Sequence, residues 1–173
     1  MLDRVNTART TPHTRLSVPV EVRDLRPQDL PACSWSGSPT HVRHVADELD
    51  RAAAGEVDYL AVCTPAGVPV AIGGVDYAPR PDAGTLWQLA VLPALQSCGL
   101  GTLLIGAAED RIAARGLHRA VLAVEDDNPR ARALYERLGY RAFGRELDTW
   151  DEEGPDGEIR RHEAMCTLLG KDL

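Results

Sequence analysis

Paired cysteines, long apolar runs and excess positive charge are all missing from this 173-residue sequence. None of its four cysteines forms a C-x-x-C pair, so neither a zinc site nor a redox motif is indicated, and their wide spacing favours reduced thiols. No apolar run approaches the roughly 20 residues of a membrane-spanning helix. The net charge of −7 argues against nucleic-acid binding, which needs clustered Lys and Arg. We therefore expect a cytoplasmic protein with no metal, membrane or nucleic-acid partner.

The first 17 residues are rich in Arg and Thr and have no apolar centre of the secretory-signal type. We expect residues 1–17 to form a flexible tail, with a transit peptide as the alternative. Residues 18–173 contain no internal repeat or low-complexity linker, and their length suffices for one domain with a substantial core. One domain over 18–173 is the prediction.

Apolar periodicity and turn residues divide the chain into alternating elements. Strands are expected at 18–23, 59–63, 68–75, 85–92, 119–124, 141–150 and 159–168. Helices are expected at 27–31, 40–54, 100–115 and 129–138. Hairpins followed by a strand–helix–strand unit predict an α/β domain with a mixed sheet and helices on both faces.

A glycine-containing segment separates the strand ending at residue 92 from the helix beginning at Leu100. Gly99 and Gly101 let the backbone approach a ligand with no side chain in the way. The N–H groups of residues 97–102 would lie at a helix N-terminus, which is typical of a pyrophosphate cradle. A simple tight turn is one alternative. A G-x-G-x-x-G dinucleotide site is another, weakened by the missing third glycine, although Glu125 could supply its acidic residue.

Three segments together resemble the GNAT superfamily of N-acetyltransferases: residues 86–93, Q-x-x-G-x-G at 96–101, and N-x-x-A-x-x-x-Y-x-x-x-G-[FY] at 128–140. The resemblance implies an α/β GNAT fold, with a mixed, mostly antiparallel sheet of six to seven strands, splayed in the middle, and about four helices on both faces. It implies acetyl-CoA as cosubstrate and no metal. The acceptor would be a primary amine of a small molecule or a protein N-terminus, and the chain a monomer or a homodimer.

The resemblance also assigns coenzyme-binding residues. The backbone of the strand before the loop would pair with the pantetheine arm, and the loop amides would hold the pyrophosphate. Asn128 would cap its helix and also contact the arm. The expected coenzyme-binding residues are Leu89, Ala90, Val91, Gln96, Ser97, Cys98, Gly99, Leu100, Gly101, Thr102 and Asn128.

Tyr135 matches the tyrosine that protonates the departing coenzyme thiolate in many relatives. A phenol titrates near 10 and a thiol near ~8.5, so direct transfer is uphill by roughly 2 kcal/mol, which a positioned donor can supply. Packing against the sheet is the alternative role. The glutamates that many relatives use as a base fall near Thr85 and Ala123, neither of which accepts a proton. The remaining candidates for a base are Asp76, Glu125, Asp126, Asp127 and His162.

Seven carboxylates lie between residues 146 and 158, a segment expected to be largely loop. Such a patch could attract a cationic amine, with a merely solvated loop as the alternative. We expect direct attack of the amine on the thioester in a ternary complex. Because no base is evident, a non-catalytic acetyl-CoA sensor or interaction module remains the alternative function.

Overall fold

The computed structural model describes residues 17–154 and 156–173, so the predicted N-terminal tail lies almost entirely outside the described residues. Seven strands form a single sheet. They are β1 (Glu21–Asp24), β2 (Val57–Cys63), β3 (Pro69–Asp76), β4 (Gly84–Val91), β5 (Arg119–Glu125), β6 (Arg141–Glu153) and β7 (Ile159–Asp172). The strand order is β1-β2-β3-β4-β5-β7-β6, and every neighbouring pair is antiparallel except β4 and β5. The predicted mixed, mostly antiparallel sheet is confirmed.

Three α-helices and a ten-residue 3₁₀ segment flank this sheet. The 3₁₀ segment spans Pro27–Ser36, and the helices are α1 (Pro39–Ala53), α2 (Leu100–Ala114) and α3 (Pro129–Arg137). The first segment contains Pro31, whose ring would clash in an α-helix with the carbonyl four residues earlier, which disfavours α over 3₁₀ geometry. None of the described helices is long and apolar enough to cross a membrane.

The core consists of two clusters, one on each face of the sheet. On β2, Leu60 and Val62 pack into the cluster under α2 and α3, whereas Tyr59 and Ala61 pack into the cluster under α1. This alternation follows from the two-residue period of a strand. It confirms that helices cover both faces, and it explains why β2 is apolar along nearly its whole length.

The sheet opens between its two parallel strands. β4 pairs with β5 only from Gly84 to Leu86, whereas β5 stays paired with β7 along its whole length. The register between β3 and β4 shifts in the same region, where Gln88 has a φ of 51°. The bulge turns the second half of β4 away from β5. The splayed sheet expected from the family resemblance is therefore present.

The acidic loop is shorter than predicted, and the strand expected at 141–150 is longer. β6 continues to Glu153 and β7 begins at Ile159, so acidic residues as far as Glu153 lie on a strand. Where an acidic residue of β6 faces an opposite charge across the ribbon, the pair stabilises the strand. Asp151, for example, pairs with Arg161, with their side-chain oxygen and nitrogen 3.4 Å apart.

Candidate active site

A cavity of about 530 Å³ lies between the end of β4, the loop before α2, and α3. The structure brings ten of the eleven predicted coenzyme-binding residues to its wall; the exception is Cys98, which is exposed. The lining also includes Leu104, Ile105, Arg130, Ala131, Leu134, Tyr135 and Arg137. Residues far apart in sequence thus form one surface.

The N-terminus of α2 forms the polar end of this cavity. Gly99 precedes the helix with a φ of 88° and supplies no side-chain cap, and the first helical hydrogen bond runs from the N–H of Leu103 to the carbonyl of Gly99 at 3.1 Å. The N–H groups of Leu100, Gly101 and Thr102 therefore have no acceptor within the helix. All three residues line the cavity, so this helix end is suited to an anion.

Gly101 allows α2 and α3 to approach each other beside the cavity. A Cβ atom at this position would lie 3.3 Å from Cδ2 of Leu134 and 3.7 Å from Cγ2 of Val91. Any larger side chain would have to extend from there into the same narrow space. Close packing, and not a positive φ, favours glycine at this position.

A second, smaller cavity of about 230 Å³, called here the slot, lies where β4 and β5 diverge. Its lining shares four residues with the first cavity: Leu89, Asn128, Ala131 and Tyr135. Tyr135 belongs to the core cluster under α2 and α3, whereas Trp87, also in the slot, packs against the cluster under α1. The slot therefore receives side chains from both faces of the sheet, and the two cavities meet at Tyr135.

Tyr135 is 9% exposed and lies in the last half of α3. Burial raises the pKa of its phenol above the ordinary value, so the hydroxyl keeps its proton at neutral pH. Its ring packs edge-on to that of Tyr140, with the centroids 6.2 Å apart. The side chain thus has a packing role as well as a position at the cavity junction.

Asn128 caps α3, as predicted. Its Oδ1 accepts a hydrogen bond of 3.1 Å from the N–H of Ala131, and Pro129 occupies the first turn. Asn128 lines both cavities. Its side-chain amide nitrogen donates to no other described residue, which leaves a donor at the wall they share.

Two arginines of the cavity were missed by the sequence analysis. Arg130 donates from Nη1 to Oε1 of Gln96 at 2.6 Å and from Nη2 to Oγ of Ser97 at 3.0 Å. Arg137 lies seven residues further along α3 and lines the same cavity. Arg130, Leu134 and Arg137 are spaced so that all three lie on one face of α3. This shared face could have been predicted from the sequence once the helix itself had been located.

Of the candidate bases, one lines the slot and the others lie outside its lining. Glu125 lines the slot. Asp76 is paired with Arg51 at 2.9 Å, and the hydrogen bond from Thr167 and the pairing with Arg145 lower the pKa of Asp126. Asp127 is exposed and lines neither cavity.

His162 lies next to the slot rather than in its lining. Its ring centroid is 4.5 Å from that of Trp150, which lines the slot together with Asp148. Of the two positions where relatives carry glutamate, Ala123 lines the slot and Thr85 does not. Asp148 lies on β6, within the strand expected at 141–150, but its position in the slot was missed by the sequence analysis.

The family model described as the acetyltransferase (GNAT) family matches residues 22–140. The match covers β2 to β5, the loop before α2 and all of α3, and it ends before β6. This chain therefore belongs to the GNAT acetyltransferase family.

Similar curated proteins are matched over shorter segments. A mycothiol acetyltransferase of Beutenbergia cavernae is 48% identical over 62 residues, covering 35% of this chain and 21% of that protein. A [ribosomal protein bS18]-alanine N-acetyltransferase of Haemophilus influenzae is 39% identical over 59 residues, covering 34% of this chain and 40% of that protein. The chain thus aligns with about a fifth to two fifths of the length of these relatives.

Solved structures agree with the fold over most of the chain. The ribosomal-protein-S18-alanine N-acetyltransferase of Escherichia coli has a TM-score of 0.68 at 21% identity, covering 89% of this chain and 94% of that one. A PaiA N-acetyltransferase of Thermoplasma acidophilum in complex with coenzyme A has a TM-score of 0.65 at 14% identity, covering 90% and 99%. At these identities the likeness shows the GNAT fold.

Proposed function

We propose that this protein transfers an acetyl group from acetyl-CoA to a primary amine by direct attack within a ternary complex. The observation that carries the proposal is the meeting of the two cavities at Tyr135. One cavity has an anion-binding helix end and the other opens through the sheet. Acetyl-CoA in one cavity and the acceptor amine in the other can thereby meet beside Tyr135.

The larger cavity suits the coenzyme. The uncapped N-terminus of α2 fits its pyrophosphate. The edge of β4 beyond Leu86 has no partner on β5, so its backbone groups near Leu89 and Val91 can pair with the amides of the pantetheine arm. Asn128 adds a side-chain donor at the junction. The thioester would then lie at the slot, beside Tyr135.

In the reaction, the lone pair of a neutral amine attacks the thioester carbonyl carbon. A new C–N bond forms, the C–S bond breaks, and the electron pair leaves on sulfur. Tyr135 protonates the sulfur, the proton lost by the amine passes to water, and the phenolate of Tyr135 then regains a proton from water. Because its pKa is raised, the phenol of Tyr135 is still protonated before the step. It gives up this proton when a thiolate develops beside it.

The names of two relatives bear on which kind of amine we propose as the acceptor. One is named a mycothiol acetyltransferase, and the name of the other specifies N-acetylation of an alanine of ribosomal protein bS18. Acetylation of an alanine nitrogen is acetylation of an α-amine, since its side chain has no nitrogen. We propose an α-amine or another amine of low pKa as the acceptor here, on a small molecule or a protein N-terminus.

The decisive experiment measures thiol release from acetyl-CoA over a panel of amines. Turnover with at least one amine, abolished without acetyl-CoA, supports the proposal. Coenzyme A should also stabilise the fold by about 2.7 kcal/mol at a hundred times its dissociation constant, and NAD should do so far less. Binding with no turnover over the whole panel would favour a sensor module, and stronger stabilisation by NAD would favour a dinucleotide site.

A further inference from the structure

One face of α3 presents two arginines to the larger cavity. Arg130, Leu134 and Arg137 follow an i, i+4, i+7 spacing, and all three line the cavity. Arg132, on the same helix, is turned away: it pairs with Glu136 at 2.9 Å and borders a different depression. The cavity therefore receives two of the cations of α3 and excludes a third.

Arg130 is positioned at the anion end of the cavity. Its guanidinium spans from α3 to the loop and donates to neutral oxygens of Gln96 and Ser97. A phosphate oxygen is a stronger acceptor than an amide or hydroxyl oxygen, and guanidinium groups favour bidentate contact with phosphate. Arg130 can therefore exchange these contacts for a pyrophosphate held at the N-terminus of α2.

Arg137 is free to bind a second anion. It makes no hydrogen bond or ion pair with any residue of the described part of the chain, although this part contains many carboxylates. Seven residues separate it from Arg130, or roughly 10 Å along the helix axis. Side chains that extend from these two positions can therefore contact two separate anionic groups.

Coenzyme A carries two separate anionic groups, the pyrophosphate and the 3′-phosphate of its ribose. A phosphate monoester holds about −1.5 to −2 charges at pH 7, whereas a helix N-terminus offers only about +0.5. The protein itself has a net charge of −7, so its overall field opposes the binding of such a ligand. Local cations are needed, and the cavity supplies two.

We propose that Arg130 binds the pyrophosphate and Arg137 the 3′-phosphate, so that this protein distinguishes coenzyme A from dephospho-coenzyme A. The proposal rests on the proposed use of acetyl-CoA. Arg137 then determines specificity for the form of the coenzyme that carries the 3′-phosphate. Arg130 contributes affinity for any form that carries the pyrophosphate.

The test is calorimetric binding of three ligands: coenzyme A, dephospho-coenzyme A and pantetheine, which has no phosphate. Arg137→Gln should weaken coenzyme A by about 10-fold or more, in the range of a charged hydrogen bond, and leave dephospho-coenzyme A unchanged. Arg130→Gln should weaken both by a similar factor and leave pantetheine unchanged. Arg132→Gln is the matched control and should change none of them.

Several results would overturn the assignment. Equal loss for coenzyme A and dephospho-coenzyme A in Arg137→Gln would show that Arg137 does not contact the 3′-phosphate. Weaker binding of pantetheine by Arg130→Gln would show that Arg130 only shapes the loop. Binding without turnover in the wild type would refute the acetyltransferase proposal but not this one, whereas no coenzyme binding at all would refute both.

Discussion

The hydroxyl of Tyr59 donates a hydrogen bond of 2.9 Å to Oε1 of Gln88, across from β2 to the bulge of β4. Tyr59 is almost fully buried, and burial raises the pKa of its phenol, so the donor is permanently protonated. Gln88 is one of two non-glycine residues with positive φ in the described part of the chain. The hydrogen bond therefore fixes the residue at which β4 turns away from β5.

Tyr59→Phe should lower the free energy of unfolding by about 1 kcal/mol, because it removes one buried hydrogen bond and leaves the oxygen of Gln88 unpaired. It should also raise KM for the acceptor, since the bulge shapes the slot. Denaturant titration and steady-state kinetics measure the two effects. Tyr77→Phe is the control: it removes a hydrogen bond to Asp58, away from the slot, and should affect stability alone. Identical kinetics in the two variants would show that the bulge does not shape the slot.

Tyr135→Phe should reduce turnover on the order of 10²-fold, the low end for loss of a general acid, with little change in coenzyme affinity. Because burial raises the pKa of Tyr135, the wild type should show no fall in kcat attributable to this phenol below pH of about 10. Single-turnover kinetics and a pH profile of kcat provide the measurement. Unchanged turnover would reduce Tyr135 to its packing role against Tyr140.

Gly101→Val should abolish coenzyme binding in a folded protein. The new Cβ would meet Leu134 and Val91, and its methyl groups would extend into the cavity wall. Gly106→Val is the matched control on the same helix, because a Cβ there meets nothing within 4 Å. Calorimetry should show binding for the control and none for Gly101→Val, with both variants melting cooperatively. Wild-type affinity in Gly101→Val would exclude the cavity as the coenzyme site.

The sequence predicted the parts of this fold that depend on local periodicity, and it missed those that depend on tertiary pairing. The helix over 100–115 and the cap at Asn128 follow from residues close in sequence. The full length of β6 depends instead on its pairing with β7, which lets charged side chains continue a strand that composition alone reads as a loop. The contact of Arg130 with Gln96 joins residues 34 positions apart, so no local pattern could reveal it.

Cys98 should be the first of the four thiols to react with a mild alkylating agent. It is the exposed cysteine, whereas burial raises the pKa of Cys33 and Cys166 to about 11 and also raises that of Cys63. Saturating coenzyme A should slow the labelling, because its neighbours Ser97 and Gly99 line the cavity. Mass spectrometry with and without the coenzyme is the measurement, with Cys98→Ser as control. Equal labelling under both conditions would contradict the placement of the phosphate cradle at residues 96–102.

Ala123 lines the slot at a position that cannot accept a proton, and we derive from this a prediction about the acceptor. An amine must be neutral to attack. A lysine-like amine is neutral at pH 7 about one time in 10³, a cost of roughly 4–5 kcal/mol, whereas an α-amine near 7.8 costs only about 1 kcal/mol. We predict that α-amines, aryl-amines and hydrazine-like acceptors give higher kcat/KM than alkyl amines of similar size.

The pH dependence of kcat/KM for two acceptors of different pKa distinguishes this mechanism from one with an enzymic base. If water removes the proton, activity should rise with pH through the pKa of each acceptor, so that the limb moves when the acceptor is changed. A limb near pH of about 6 to 7 that stays in place for both acceptors would require a titrating group of the protein. Glu125 lines the slot on the same strand as Ala123, two residues further on, so Glu125→Gln is the variant that should then remove the limb. If the limb moves with the acceptor instead, the same substitution should leave the profile unchanged, because the proton never passes through this carboxylate.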